Sequence, residues 1–259
     1  MSDDGEVRSV RHGDVVHVTF DRPAARNAMT WRMYEQLGEL CEKLRGDPSV
    51  RAVVFRGAGG KSFIAGTDIA QFREFRSGED GVAYEQKMER YLSGIEALPM
   101  PTLCVIEGFA IGGGLAITAC CDLRIATPGS RFGVPIARTL GNCLSIANYA
   151  RLVAALGMAR AKKVLLLAEN IGAEEALAGG FLVEIVQPMD VDKRVAELTD
   201  RLVHHAPITM RVTKEAMRRL LHAGFLDGDD LVRQAFGSED FRAGVAAFVE
   251  KKTPQWKGR

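Results

Sequence analysis

Neither sign of charge prevails in this sequence: 34 lysines and arginines stand against 33 aspartates and glutamates, a formal net charge of +1. A chain with no basic excess lacks the electrostatic footprint of a nucleic-acid binder, so no nucleic-acid partner is expected. Long apolar runs are missing too. The longest stretch without a charged residue, 108–121, is too short for a bilayer and too rich in glycine to face lipid, so no membrane partner is expected. Cysteine is scarce. Cys41, Cys104, Cys120, Cys121 and Cys143 make an odd set without C-x-x-C spacing, mostly inside apolar runs, which favours buried free thiols over disulfides or zinc. His12, His17, His204, His205 and His222 form no metal-ligand spacing, and no metal is expected. Residues 1–6 are acidic where a secretory signal is basic and then apolar, and the expected compartment is the cytoplasm. Phosphate loops fail by one residue each. Gly60-Lys61-Ser62 ends like a P-loop, but Phe55 stands where its first glycine belongs, and G-x-G-x-x-G breaks at Ser62.

What is present is a soluble globular composition, 47% apolar and 26% charged over 259 residues, enough for one sizeable core with a small appendage. Residues 7–10 and 15–20 are β-rich and separated by His12-Gly13-Asp14, which predicts a hairpin. Thr30 can cap a helix that places Met33, Leu37, Leu40, Cys41 and Leu44 on one face. Further strands are expected at 50–55, 102–106, 123–126, 131–133 and 182–186. Helices are expected at 69–76, 82–98 and 112–121, with a turn at 77–80. Beyond residue 144 the pattern is mostly helical, Pro207 separating two helices. The tail 208–252 reads as three helical segments broken at Gly224 and at Gly237-Ser238, with Ser238 and the acidic residues after it signalling a helix start.

One stretch organises the rest: Thr102 to Val105, β-rich, then Ile106-Glu107-Gly108-Phe109-Ala110-Ile111-Gly112-Gly113-Gly114-Leu115-Ala116, continuing in small and apolar residues to Asp122. A strand, a glycine turn and a helix start bring several unpaired backbone N–H groups into one small space. Glycine lets another group approach such a backbone closely. An anion, or a carbonyl oxygen becoming one, would fit there. A tight turn beneath a buried helix would also account for three glycines.

A second stretch, Lys61-Ser62-Phe63-Ile64-Ala65-Gly66-Thr67-Asp68-Ile69, tips the balance. Together the two resemble the paired signatures of the enoyl-CoA hydratase/isomerase (crotonase) superfamily. Other similarities follow in order along the chain: Asp21-Arg22-Pro23 through Asn27-Ala28, Cys121-Asp122-Leu123-Arg124-Ile125-Ala126, Phe132-Gly133-Val134-Pro135, and Ser238-Glu239-Asp240-Phe241 through Ala247-Phe248-Val249-Glu250-Lys251-Lys252. The resemblance implies an α/β fold, a crotonase-like spiral of β-β-α units over 1–200 that holds the acyl-CoA site. A helical trimerisation region over 201–259 would follow, with homotrimers that can pair into hexamers. It implies an acyl-CoA thioester as substrate and no cofactor, coenzyme A being part of the substrate.

By the same resemblance, the backbone N–H groups of Thr67 and Gly113 would form an oxyanion hole for the thioester oxygen. Ala65 and Ile69 would flank the adenine ring. Arg22 and Arg26 are candidate phosphate partners, in keeping with arginine chemistry, with solvated surface charge as the plain alternative. Phe248 and Lys251 match tail positions that reach a neighbouring subunit's CoA. For them the alternative is one residue in the core and one in water.

The two glutamates that family hydratases use as acid and base correspond to Ala116 and Ile136, neither of which can carry a proton. Simple enoyl-CoA hydration is therefore expected to be very slow. Double-bond isomerisation, decarboxylation or thioester hydrolysis fit better, and a non-catalytic acyl-CoA binder is the alternative. Glu74, Tyr84, Glu89, Arg138, Thr139, Asn142 and Cys143 are the candidates near the expected pocket. Of these Arg138 or Asn142 is expected to face the acyl group, against a salt bridge for Arg138 and a helix cap for Asn142. Asp68 is expected to serve local hydrogen bonding.

Overall fold

The computed structural model describes residues 4–223 and 229–256. It opens with the expected hairpin, in which β1 (Glu6–His12) and β2 (Val15–Asp21) pair antiparallel across Gly13, at φ +58°. Val16, Val18 and Phe20 of β2 point inward, the period of a half-buried strand. β3 (Ala52–Gly57) and β5 (Thr102–Ile106) are buried almost throughout, because parallel strands inside a sheet have both faces covered. With β7 (Leu123–Ala126) and β10 (Glu184–Ile185) they complete a six-stranded sheet in the order β1-β2-β3-β5-β7-β10.

Each inner strand then hands the chain to a short strand of a second sheet. β3 leads to β4 (Ser62–Ile64), β5 to β6 (Phe109–Ile111) and β7 to β8 (Arg131–Gly133). These join β9 (Ile171–Gly172) in the order β4-β6-β8-β9. A helix follows each pair: α2 (Gly78–Glu96), then α3 (Gly113–Cys120), then the short α4 (Ile136–Thr139) with α5 (Ile146–Leu156). This is the expected spiral of β-β-α units. β4, β6 and β9 are two or three residues long, too short for a period of two to declare itself in sequence.

Helix ends follow local chemistry. The Thr30 hydroxyl accepts the Met33 N–H at the start of α1 (Trp31–Arg45), whose inner face buries Met33, Leu37, Cys41 and Leu44. The turn expected at 77–80 is instead the first turn of α2. Ser77 accepts the Asp80 N–H while the Asp80 carboxylate accepts the Ser77 N–H, a reciprocal cap that starts the helix four residues earlier than apolar periodicity suggests. The segment expected to be helical at 69–76 is a 3-10 helix, Ile69–Glu74.

The C-terminal part is helical, as expected: α6 (Met158–Leu166), α7 (Ala173–Ala178), α8 (Val191–His204), α9 (Pro207–His222), α10 (Asp229–Phe236) and α11 (Glu239–Val249). The break predicted at Gly224 lies outside the described residues. The one at Gly237-Ser238 is present, Ser238 accepting the Phe241 N–H to cap α11. α8 covers the outer face of the large sheet, laying Val191 and Val195 on Val54, Leu103, Val105 and Ile125. α10 and α11 return to the 3-10 helix, where Phe236 and Phe241 pack with Phe72 and Val82. No described helix is long and apolar enough to cross a membrane.

Candidate active site

Two loops meet at the N-terminus of α3. In the first, the Met29 N–H donates to the Gly66 carbonyl at 2.9 Å, and the Asp68 N–H donates to the Met29 carbonyl at 2.8 Å. In this parallel register the residue between them, Thr67, turns its own N–H away from the ladder. That N–H has no hydrogen-bond partner among the described residues. In the second loop Gly112 sits at φ +55° and ψ −118°, a conformation left to glycine. Gly113 then begins α3, and its N–H belongs to the helix turn that finds no intrahelical partner. It too is unpaired among the described residues.

The loops touch. A Cβ on Gly112 would lie 3.7 Å from Gly66 Cα, and a Cβ on Gly113 would lie 3.1 Å from Thr67 Oγ1 and collide with the Tyr34 hydroxyl. A Cβ on Gly114 would collide with the Ile64 carbonyl. The glycine triplet thus answers to close contact as well as to a turn. Thr67 and Gly113, paired by sequence, are neighbours in space and both half-buried.

Asp68 holds the first loop in place. Its carboxylate accepts the Ala70 N–H at 3.1 Å and the Arg22 guanidinium at 2.9 Å, the local bonding expected of it. Arg22, a candidate for phosphate, also donates to the Ala28 carbonyl at 3.2 Å, so at least part of its fork is spent on the loop. Arg26 is exposed, its guanidinium 5.7 Å from the centre of the Phe109 ring, and its carbonyl accepts the Ala65 N–H at 3.1 Å. Ala65 and Ile69 flank the cradle, both half-buried. Phe248 and Lys251 lie at the far end of α11, exposed, with no hydrogen bond or ion pair linking either to the cradle.

On the other side, Ala116 is buried one turn into α3, and Ile136 packs between the main core and the aromatic cluster around Phe72. Arg138 is exposed and has no ion pair among the described residues. Asn142 presents a buried Oδ1 without a hydrogen-bond partner, while its Nδ2 reaches the Cys143 carbonyl at 3.4 Å. Ser145, not Asn142, caps α5, accepting the Asn148 N–H at 3.3 Å. Glu89 is paired with Arg151, and Glu74 is exposed on the 3-10 helix.

Hydroxyl groups crowd the cradle. Tyr34 is 2% exposed and its hydroxyl lies 2.9 Å from Thr67 Oγ1; burial pushes its phenol up to about 12. Burial also raises Tyr84 well above the ordinary range, an effect partly offset by the Thr67 hydroxyl. Behind them stands a carboxyl absent from the sequence candidates. Glu85 of α2 is 4% exposed, and its Oε2 accepts the Ser145 N–H at 2.7 Å. Burial lifts it to about 7, with the bonds from Ser145 and Asn148 pulling partly back. Its signal was in the sequence. Val82, Glu85, Met88, Leu92 and Ile95 follow helical spacing and are all buried, so a charged residue interrupts an otherwise apolar stripe.

An α/β spiral with a loop and a helix start facing each other across such a cradle is the architecture of the crotonase superfamily. The chain belongs to the enoyl-CoA hydratase/isomerase family, whose model matches residues 11–259. It is 32% identical to the short-chain-enoyl-CoA hydratase of Clostridium acetobutylicum, over 93% of this chain and 94% of that one. It is equally 32% identical to the (E)-benzylidenesuccinyl-CoA hydratase of Thauera aromatica, over 94% and 96%. A solved structure of methylmalonyl-CoA decarboxylase in complex with 2-nitronate-propionyl-CoA is similar over 98% of both chains, with a TM-score of 0.89 and 26% identity.

Proposed function

We propose that this protein is a cytoplasmic enzyme acting on acyl-CoA thioesters, and that the N–H groups of Thr67 and Gly113 stabilise an enolate or oxyanion on the thioester oxygen. The observation that carries this reading is the pair of unpartnered main-chain donors in two loops that touch. Preorganised donors of this kind act where charge develops, and losing one costs on the order of 3 kcal/mol in the transition state. The relatives' names, two hydratases and a decarboxylase of CoA-bound acyl groups, support the substrate class.

Hydration of a simple enoyl-CoA does not suit this site, because Ala116 and Ile136 leave hydrocarbon where two proton-carrying groups are needed. Isomerisation, decarboxylation and thioester hydrolysis ask less. In decarboxylation the enolate forms as the bond to the carboxylate breaks and CO2 leaves, so no base is required. Arg26 supplies charge for CoA phosphates, Ala65 and Ile69 the adenine contacts, and Arg138 and the lone acceptor of Asn142 face the acyl group. Phe248 and Lys251 serve the CoA of a neighbouring copy in a homotrimer or a pair of trimers.

The test is calorimetry with CoA thioesters beside crotonyl-CoA turnover followed by loss of the enoyl absorbance. Binding with negligible hydration is expected. Turnover at ordinary hydratase rates overturns the reading of Ala116 and Ile136, and failure to bind any acyl-CoA overturns the whole. Binding without turnover of any enoyl, malonyl-type or ester substrate selects the second reading, an acyl-CoA binder without chemistry, which the two apolar replacements favour.

A further inference from the structure

An enolate site that works in both directions needs a group to take and return a proton at the carbon next to the thioester. The two family positions for such groups hold Ala116 and Ile136. Buried carboxyls among the described residues are otherwise matched with cations: Glu107 pairs with Arg56 at 2.5 Å, and Glu96 with Arg151 at 2.8 Å. Glu85 has no cation within ion-pair distance. A carboxyl buried without a cation is costly to ionise, so its retention among Met88, Leu92 and Ile95 asks for a reason.

Its surroundings supply one. α2 packs on α3, the helix that begins with Gly113 and carries Ala116. From α1, Tyr34 couples electrostatically to Glu85 while its hydroxyl touches Thr67. Tyr84, next in sequence, borders the same two apolar clusters as Ile136. From the opposite side the N-terminus of α5 presents the Ser145 N–H and Asn148, and Cys143, beside the unpartnered Asn142 Oδ1, feels the same charge. Glu85 thus sits on the helix packed against α3 and bonds the N-terminus of α5, just beyond the segment expected to face the acyl group.

We infer that Glu85 is the acid–base group of this site, exchanging a proton with the α-carbon of the acyl chain in place of the two missing glutamates. The inference rests on the acyl-CoA reading above. The ionised carboxylate takes a proton from the α-carbon, and the C–H electron pair moves through the carbon–carbon bond onto the thioester oxygen, held by the N–H groups of Thr67 and Gly113. Return of a proton from the carboxyl reverses the step, so no other reactant is needed. After decarboxylation the same carboxyl delivers the proton that completes the product. Groups with pKa values close to the operating pH serve both roles well, and burial places Glu85 at about 7. The titratable neighbours are Tyr34, Tyr84, Glu89, Cys143 and, on α5, Tyr149. The four whose shifts are resolved, Tyr34, Tyr84, Cys143 and Tyr149, are all raised by burial.

The experiment uses propionyl-CoA in deuterated water, with deuterium uptake at the α-carbon followed by mass spectrometry and binding followed by calorimetry. The native protein is expected to bind and exchange, at a rate that rises with pH through about 7 and then levels. Glu85→Gln, which keeps an acceptor for the Ser145 N–H, is expected to bind within threefold of the native protein, to exchange at least about 100-fold more slowly and to lose that pH profile. Glu85→Asp is expected to recover part of the rate. Exchange in Glu85→Gln at the native rate, or native binding without exchange, overturns this inference and leaves the acyl-CoA reading standing. Failure of the native protein to bind overturns both.

Discussion

Gly113 has space for a hydrogen and nothing more, since a methyl there would strike the Tyr34 hydroxyl and press on Thr67 Oγ1. Gly113→Ala is therefore expected to push the two loops apart and cut turnover by about 100-fold or more, the scale of one lost donor. The fold, measured by circular dichroism, should persist. Glu85 yields a prediction of a different kind. Its folded-state carboxyl is raised from 4.5 to about 7, so the native chain holds that proton more tightly than the unfolded chain does. The stabilisation is complete below pH 4.5 and is lost as pH rises through 7, amounting to about 3 kcal/mol. Urea unfolding at pH 5 and pH 8 should show the native protein losing most of this, about 2.5 kcal/mol, relative to Glu85→Gln. An equal pH dependence in the two proteins would contradict the burial argument. Motif order alone pointed to Thr67, Gly113, Ala116 and Ile136, because backbone donors are set by loop pattern. Glu85 lies outside the family's motif positions, and its one local mark is the charged break in the apolar stripe of α2.

At the scale of elements, α2 is the part most firmly clamped. The Arg151 side chain of α5 is fully buried and bonds Glu89 at 2.5 Å and Glu96 at 2.8 Å, both on α2, while His222 at the end of α9 reaches Glu96 at 3.1 Å. Removing only the cation would leave the buried Glu96 carboxylate with His222 as its remaining partner, and Glu89, 29% exposed, without its ion pair. Arg151→Met is expected to cost about 3–5 kcal/mol, read as a fall in Tm, whereas an exposed pair such as Lys87 with Glu35 should cost under about 1 kcal/mol. The strands of the large sheet were legible because β3 and β5 are long apolar runs, and α1 because Thr30 caps a clear periodic stripe. Of the second sheet only β8 was, as the strand expected at 131–133. β4 and β6 owe their existence to pairing with each other across more than forty residues of sequence, and β6 to pairing with β8 across more than twenty, a tertiary fact that local pattern does not hold.

For the whole molecule the family resemblance foresaw the spiral and the helical C-terminus, but one chain leaves α9 unfinished. None of its residues is buried, and Ile208, Val212, Met217 and Leu220 are 58–77% exposed. So many large apolar side chains exposed on one helix mark an interaction surface. The helix is nevertheless held firmly, because Lys214 donates to Asp122 at 2.5 Å and to the Met100 carbonyl at 2.7 Å. In the proposed homotrimer or pair of trimers a second copy of the chain would cover it, and light scattering is expected to give three or six times 28.2 kDa. Placing charges on that surface without touching the Lys214 anchor isolates the effect. Val212→Asp combined with Leu220→Asp should yield a folded species of 28.2 kDa with unchanged far-ultraviolet dichroism. If Phe248 and Lys251 serve a neighbour's CoA, that monomer should also bind acyl-CoA more weakly than the native assembly. A native protein that already runs at 28.2 kDa would refute both the assembly and the shared site.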